Sequence, residues 1–210
     1  MVNGIDVSHF QRVVDWGTVA ASGVQFCFIK ATEGAGNIDP RFVQNWKSAR
    51  DAGLVRGAYH FFHPSAPAAA QADSFLRIVG RLECGDLPPA LDLEVPAAWT
   101  GIAATDRAPL ALQWLEAVEK RLGVTPIVYL SPAFATEVLA NAPALARFPV
   151  WFAHYTDAAG PAIAKPWNSW SFWQYSREGN TSGVMLAVDL DRFNGSLDDL
   201  KALTVKPATP

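Results

Sequence analysis

The feature that most constrains the fold is an alternation of short apolar runs with helical patterns through the first two thirds of the 210-residue chain. The runs that we predict as strands are Val2–Val7, Gln25–Ala31, Leu54–Phe62, Pro89–Val95 and Pro126–Leu130. The helical patterns are Trp16–Ser22, Arg41–Ala52, Pro67–Val79, Arg107–Leu122 and a short one at Ala133–Leu139. Pro40 before and Gly53 after the second pattern are helix start and stop signals. Such alternation predicts parallel strands joined by right-handed crossovers.

The pattern changes after this point. Three further strands are predicted at Pro149–Tyr155, Ser169–Tyr175 and Met185–Leu190, and the segments between them are rich in Gly, Pro, Asn and Ser without helical periodicity. We therefore predict an α/β fold, an irregular TIM-like barrel of about five β/α units followed by three strands that lack outer helices. Because α/β barrels commonly exceed 200 residues as single units, residues 1–204 are expected to form one catalytic domain. Residues 205–210 are expected to be a flexible tail or linker stub.

Composition excludes several classes of protein. Half of the residues are apolar and 18% are charged, which is too apolar for disorder. The net charge is −3, and basic residues cluster no further than pairs such as Lys120-Arg121, so no nucleic-acid partner is expected. No apolar run approaches the roughly 18 residues of a membrane span. The N-terminus, Met-Val-Asn-Gly, lacks the features of a secretory signal. The sequence therefore leaves open whether the protein is cytoplasmic, is exported by another route, or carried a signal that was removed.

Two cysteines indicate little about redox chemistry. Cys27 lies in an apolar run and is expected to be a small buried hydrophobe, whereas Cys84 lies in a predicted loop. Two cysteines in a chain of this length do not make a disulfide framework, so a bridge between them is disfavoured. A monomer is expected.

The strongest local signal is an apolar strand that ends in two acids, Asp92 and Glu94. Residues i and i+2 of a strand share a face, so both side chains are expected at the mouth of the barrel, where barrel enzymes place their catalysts. Neighbouring carboxyls push their pKa values apart, which leaves one protonated while the other is ionised. Cleavage of a glycosidic bond requires that division of roles. An acidic pair facing solvent is the alternative.

Other acids occupy matching places. Asp6 ends the first predicted strand, and Asp189 and Asp191 end the last one. Because the first and last strands of a closed barrel are neighbours, Asp6 and Asp189 should lie close together. Each acid alone is more typical of a turn or a cap. Four acids at strand ends of one barrel favour a catalytic cluster.

The lysine, the glutamate and the histidines near these strand ends have less specific roles. Lys30 ends the second strand, where it is expected either to pair with a mouth acid and set its charge state or to form a structural ion pair; Glu33 would bind substrate or cap a helix. His9, His60, His63 and His154 are scattered, so local hydrogen bonding is favoured over a zinc site. We predict no metal and no cofactor, and the phosphate-binding glycine motifs are absent from the sequence.

Aromatic residues are concentrated late in the chain. Trp151 and Tyr155 alternate with Phe152 and therefore share one strand face, while Phe152 and Phe172 are expected in the core. Sugar rings present flat C–H faces that stack on aromatic rings. Trp151 and Tyr155 are therefore predicted to line a glycan cleft.

These residues together resemble the family-25 glycoside hydrolases, lysozymes of the N-acetylmuramidase type. The motifs that carry the resemblance appear in family order as Gly4-Ile5-Asp6-Val7-Ser8, Lys30-Ala31-Thr32-Glu33-Gly34, Gly57-Ala58-Tyr59-His60-Phe61, Leu91-Asp92-Leu93-Glu94, Trp151 to Tyr155, Trp173-Gln174-Tyr175-Ser176 and Val188-Asp189-Leu190. The match runs from Gly4 to Phe193. Seven short motifs in order are highly specific, although each alone is not.

The resemblance implies a flattened barrel and hydrolysis of the β-1,4 bond from N-acetylmuramic acid to N-acetylglucosamine in peptidoglycan, at the cell wall. It implies that Glu94 is the general acid, that Asp92 is its partner, and that Asp6 and Asp189 complete the catalytic set. Asp191 falls where the family often has Asn and is left out. The residues implied to bind substrate are Lys30, Glu33, Tyr59, Trp151, Tyr155 and Gln174.

Mechanism and some rival functions stay open. Either the substrate's 2-acetamido group attacks the anomeric carbon while Asp92 orients it, or a water activated by Asp6 or Asp189 inverts that carbon. A chitinase-like hydrolase is disfavoured, because Leu87 and Ala90 occupy positions where such enzymes carry acids. A non-catalytic glycan-binding module is a second rival, which retention of the four acids disfavours. A metal-dependent hydrolase is the weakest.

Overall fold

The computed structural model describes residues 1–207, so residues 208–210 of the predicted tail lie outside the described residues. The strands are Val2–Val7 (β1), Phe26–Glu33 (β2), Asn37–Ile38 (β3), Val55–Phe61 (β4), Ala90–Asp92 (β5), Ile127–Leu130 (β6), Val150–Ala153 (β7), Phe172–Gly179 (β8) and Val188–Phe193 (β9). The α-helices are Trp16–Ala21 (α1), Phe42–Asp51 (α2), Ala68–Val79 (α3), Ala104–Leu122 (α4), Pro132–Glu137 (α5) and Leu197–Leu203 (α6). Short 3₁₀ helices cover His9–Gln11, Pro96–Trp99 and Pro143–Leu145.

Eight of the strands close into a barrel. The order is β1-β9-β8-β7-β6-β5-β4-β2, and β1 also pairs with β2, which joins the two ends of the sheet. Neighbours from β1 through β2, β4, β5, β6 and β7 to β8 are parallel, whereas β9 is antiparallel to both β8 and β1. The short β3 forms a hairpin on β2 outside the barrel. The predicted α/β barrel with five β/α units and three later strands is confirmed.

The prediction differs from the structure at the end of the barrel. A strand was predicted at Met185–Leu190, but β9 begins at Val188, and Met185 is 93% exposed in the loop before it. That loop lies along the segment after β1, where Val14 and Val184 form an isolated antiparallel bridge. The apolar residues Met185, Leu186 and Ala187 therefore belong to this loop, and the predicted start of the strand was wrong.

The helix α6 was absent from the prediction, which expected no helix after the last strand. Ser196 begins this short helix with a capping box that involves Asp199. Leu200 is fully buried and belongs to the same apolar cluster as Val2 and Phe193, so α6 closes the end of the barrel opposite the carboxyl ends of the parallel strands. Directly after α6, Val205 exchanges backbone hydrogen bonds with the turn at residues 85–86.

The alternation along each strand builds two cores. In β2, Phe26 and Phe28 point into the barrel, where they pack with Phe172. Cys27 and Ile29 point outward into a second cluster that the strands share with the helices. This two-sided burial explains why the strands are nearly continuous apolar runs.

Two glycines make room for the inward-facing rings. A Cβ atom on Gly4 would lie 2.3 Å from the ring of Phe26, and one on Gly57 would lie 2.5 Å from the ring of Phe28. Neither position has space for a side chain. The phenylalanine rings therefore fill the lower barrel, and the polar residues are left at its mouth.

Both cysteines are free thiols. Cys27 is buried, as predicted, and Cys84 is exposed. None of the helices formed by residues 1–207 combines the length and apolar character that a membrane crossing needs.

Candidate active site

A cleft opens at the carboxyl ends of the parallel strands. Nine of the ten residues predicted for the site line this cleft, and the tenth, Glu33, lies directly beside it as the partner of Lys30. The lining residues are Asp6, Ser8, Phe10, Gln11, Lys30, Tyr59, Phe61, Asp92, Glu94, Tyr129, Trp151, Tyr155, Gln174 and Asp189. The topology therefore brings acids from three separated parts of the sequence to one place.

The backbone after β5 sets the positions of Asp92 and Glu94. The N–H of Leu93 donates to the carbonyl of Tyr129 at 2.9 Å, so pairing with β6 continues past the end of the assigned strand. Val95 then adopts a left-handed conformation with φ 58° and ψ 72°, which is strained for a β-branched residue. This turn ends the strand earlier than the predicted Pro89–Val95 and leaves Glu94 half-buried at the rim.

Asp92 and Glu94 both hold protons more tightly than ordinary carboxyls. Burial raises the pKa of Asp92 well above its usual range, and the neighbouring charge of Glu94 raises it further. Burial also raises the pKa of Glu94. The ammonium group of Lys30 opposes both shifts, and Glu33 partly cancels that effect. No donor among residues 1–207 reaches Asp92 Oδ1, which is buried.

Three more carboxyls lie on the opposite side of the cleft. Asp6 and Asp189 are register partners in the β1–β9 pair, which confirms the predicted proximity. Asp191 lies two residues further along β9, on the same face, and is fully buried. Burial raises the pKa of all three, to about 6 for Asp189 and well above the usual range for Asp6 and Asp191. Like charges this close cannot all ionise, so the trio shares protons.

A ladder of hydrogen bonds fixes one member of this trio. The hydroxyls of Tyr129 and Tyr155 donate to Gln174 Oε1 at 2.9 and 2.7 Å. The amide group of Gln174 in turn donates through Nε2 to Asp6 Oδ2 at 2.7 Å. Two donors on the oxygen orient the amide so that its N–H group faces the carboxyl of Asp6.

Trp151 forms the floor of the cleft. Its ring stacks on Phe28 at 4.4 Å between centroids and contacts the ring of Tyr129 at 4.5 Å. Its indole N–H donates to Asp191 Oδ1 at 2.9 Å. Trp151 is 2% exposed, whereas Tyr155 is 47% exposed. Tyr155 is therefore the ring that is accessible to a ligand.

Lys30 lies on the inward face of β2, two residues after Phe28, and therefore faces the cleft. The register with β4 shifts between Lys30 and Thr32, which marks a β-bulge. The bulge turns Thr32 away from the cleft, where its hydroxyl is bonded to His60 Nδ1 at 2.7 Å. The direct ion pair of Lys30 is with Glu33 at 2.6 Å rather than with a mouth acid.

The four histidines serve local hydrogen bonding, as predicted. His63 Nε2 bonds to Glu33 at 2.8 Å, and His9 Nδ1 bonds to Asp39 at 2.9 Å. His60 also contacts Gln71, and burial lowers its pKa to about 4. His154 Nδ1 accepts the N–H of residue 162 at 3.0 Å. Across residues 1–207, no group of three His, Cys, Asp or Glu side chains is arranged to hold a metal ion.

Sequence reasoning missed several residues of this site. Tyr129 lies inside a predicted strand, and the period-two alternation of that strand was a signal for its inward face. Phe61 lies at the end of β4, and Ser8, Phe10 and Gln11 belong to the 3₁₀ turn after β1, for which no pattern signalled a role. Asp191 was set aside, although it is buried in the trio.

The barrel and the acids at its mouth define a glycoside hydrolase. The family model described as Glycosyl hydrolases family 25 matches residues 5–184. Lysozyme M1 of Streptomyces globisporus is 35% identical over 209 residues, which cover 96% of this chain and 71% of that protein. The chain belongs to family 25 of the glycosyl hydrolases.

Two solved structures share the fold over nearly the whole chain. A bacterial lysozyme from Streptomyces coelicolor has a TM-score of 0.92 and 35% identity, covering 97% of this chain and 96% of that one. A muramidase from Trichobolus zukalii has a TM-score of 0.89 and 32% identity, covering 97% and 99%. These likenesses agree with the barrel described above.

Proposed function

We propose that this protein hydrolyses the β-1,4 bond between N-acetylmuramic acid and N-acetylglucosamine in peptidoglycan, and so acts at the cell wall. Family membership supports the reaction class, and the relatives named lysozyme and muramidase support the substrate. The observation that carries the proposal is the pair Asp92 and Glu94 at the mouth of the barrel, both with a raised pKa. We expect the protein to act as a monomer, without a cofactor.

Glu94 is the proposed general acid. It lines the cleft at the rim, where a leaving oxygen can reach it, and its raised pKa keeps a larger protonated fraction near neutral pH than an ordinary glutamate has. The proton passes from the carboxyl to the leaving oxygen as the glycosidic bond breaks. Activity should therefore fall as the pH rises through the pKa of Glu94.

Asp92 is the proposed partner that orients the substrate. The carbonyl oxygen of the 2-acetamido group attacks the anomeric carbon as the bond to the leaving oxygen breaks, and the N–H of that group donates to the carboxyl of Asp92. A water then attacks the same carbon, the bond from that carbon to the acetamido oxygen breaks, and the proton of the water goes to the carboxylate of Glu94. Asp92 suits this role because it lines the cleft and its buried Oδ1 meets no donor in the described part of the chain. Asp6 accepts the amide of Gln174, and Asp191, whose Oδ2 also meets no described donor, does not line the cleft.

The inverting alternative requires Asp6 or Asp189 to remove a proton from water. Asp6 already accepts the N–H of Gln174 and faces two carboxyls that raise its pKa. Asp189 is the better base of the two, since its pKa is about 6. We favour the acetamido route because it needs no base from the shared trio.

The remaining residues of the cleft are proposed to bind the glycan strand. The exposed ring of Tyr155 would stack on a sugar face, and Gln174, Tyr59 and Trp151 would shape the floor. Lys30, held by Glu33, would bind substrate hydroxyls and limit the pKa shift of Glu94.

The test compares the wild type with Glu94→Gln on purified peptidoglycan, following turbidity and released reducing ends. Glu116→Gln, on the exposed face of α4, is the matched control. We expect the Glu94 variant to lose about 10²-fold or more, the usual contribution of a general acid, and the control to lose nothing. New reducing ends should carry muramic acid. N-acetylglucosamine ends would instead favour the chitinase-like reading.

Proton NMR of the first-formed products tests the route. The acetamido route predicts the β-anomer first, because two displacements at one carbon restore its configuration. An α-anomer would establish inversion by water. A folded wild type that binds peptidoglycan without cleaving it would replace the enzyme proposal with a glycan-binding one.

A further inference from the structure

Two segments at the rim of the cleft lie side by side. The isolated bridge between Val14 and Val184 is antiparallel, so the register places Val13 opposite Met185. Side chains alternate between the two sides of such a pair. Val14 and Val184 pack against the core, and consequently Val13 and Met185 face solvent.

Two further exposed apolar side chains, Phe10 and Leu186, belong to the same two segments. Phe10 is 68% exposed, Val13 66%, Met185 93% and Leu186 41%. We call these four residues the apolar strip. Exposed apolar side chains that adjoin one another mark interaction sites more often than isolated ones do.

The apolar strip is continuous with the cleft. Phe10 belongs to the strip and also lines the cleft beside Asp6 and Asp189. Gln11 joins the two segments, because its Nε2 donates to the carbonyl of Ala187 at 3.1 Å. A ligand that leaves the cleft on the β1–β9 side therefore passes over the strip.

Arg12 provides a second observation at the same place. Its backbone has φ 59° and ψ −109°, a conformation that favours glycine and is strained for a residue with a side chain. The side chain is exposed and forms no ion pair with any residue in the described range 1–207. Strain of this kind concentrates at functional sites.

We propose that the apolar strip and Arg12 bind the peptide stem that peptidoglycan carries on N-acetylmuramic acid. This inference rests on the proposed function, in which that sugar lies at the scissile bond, so its stem begins inside the cleft. Aliphatic and thioether groups suit the alanine methyls of a stem, and a cation suits its carboxylates. A further sugar could stack only on Phe10, since Val13, Met185 and Leu186 offer it neither an aromatic ring nor a hydrogen-bond partner.

The test uses two substrates that differ only in the stem: intact glycan strands and strands stripped of peptide by an amidase. The variants are the double substitution Val13→Ser with Met185→Ser, and Arg12→Gln. Val43→Ser, 75% exposed on α2, is the control for loss of an exposed apolar side chain. The kcat/KM on each substrate is measured, and thermal unfolding verifies that every variant is folded.

We expect the double substitution and Arg12→Gln each to lose about tenfold in kcat/KM on peptide-bearing strands. Both variants should match the wild type on stripped strands. The control should be unchanged on both. Equal losses on the two substrates would overturn the proposal in favour of sugar binding, and no loss on either would overturn it outright. A wild type inactive on both substrates would refute the proposed function itself, which is a distinguishable result.

Discussion

Asp191→Asn is a sharp test of the proton-sharing trio. The substitution keeps the shape of the side chain, and the new carbonyl oxygen still accepts the indole N–H of Trp151. It removes one of three carboxyls that cannot all ionise, and it supplies an amide donor next to Asp6. Because Asp191 is fully buried, the substitution also removes a group whose charged form is heavily desolvated.

The pH dependence follows from the direction of the pKa shift. Folding raises the pKa of Asp191 above the ordinary value of 3.8, so above that pH the folded protein retains a proton that the unfolded chain releases. The stability this group contributes is present at low pH and is lost as the pH rises. For each pH unit above 3.8 over which the folded protein still holds this proton, the free energy of unfolding of the wild type falls by up to about 1.4 kcal/mol. The asparagine variant avoids this loss.

The assay is urea unfolding of both proteins at several pH values. From about pH 4 to about pH 6, the advantage of Asp191→Asn in free energy of unfolding should grow by up to about 3 kcal/mol. Asp73→Asn, exposed on α3, controls for the loss of one negative charge. Parallel curves for the wild type and Asp191→Asn would refute the reasoning, because they would mean that Asp191 titrates alike in folded and unfolded chains.

Two further predictions concern the packing of the barrel. Gly4→Ala should lower the free energy of unfolding by about 1–3 kcal/mol, because its Cβ would lie 2.3 Å from the ring of Phe26. The control Gly17→Ala should not destabilise the protein, since the nearest atom to its Cβ lies at 3.5 Å. Equal losses in the two variants would contradict the argument. A thiol reagent should label Cys84 alone in the native protein and both cysteines after unfolding, as mass spectrometry would show, because burial raises the pKa of the Cys27 thiol.

The barrel was predictable where local patterns and burial agree. The predicted strand Val2–Val7 coincides with β1, whose apolar residues Val2, Ile5 and Val7 are all β-branched and favour a strand. The helix α6 was not predictable in that way. It has seven residues, too few for strong periodicity, and it is held by the packing of Leu200 beneath the barrel, which is a tertiary contact.

The candidate site was predictable in its acids but not in their environments. The end of β1 meets the start of the antiparallel β9, so Asp6 and Asp189 lie close together as predicted, although Asp189 was predicted at the end of its strand. The register pairs Asp6 with Asp189 and Gly4 with Asp191, and only this register puts the third acid under Trp151. A one-residue slip would turn Asp191 outward, and no local pattern fixes the register that strictly.

Hydrogen-bond donors distinguish the carboxyls at the mouth of the barrel. Asp6 accepts the amide of Gln174, and Asp191 accepts the indole of Trp151 at Oδ1 while its Oδ2 meets no described donor. Gln174 and Trp151 are themselves held in place, so each fixes one oxygen of its carboxyl partner. At Asp92, no described donor reaches the buried Oδ1, and Glu94 sits half-buried beyond it at the rim. On the β1–β9 side, the acids therefore share protons and are held by the barrel. At the end of β5, Asp92 and Glu94 are available for chemistry.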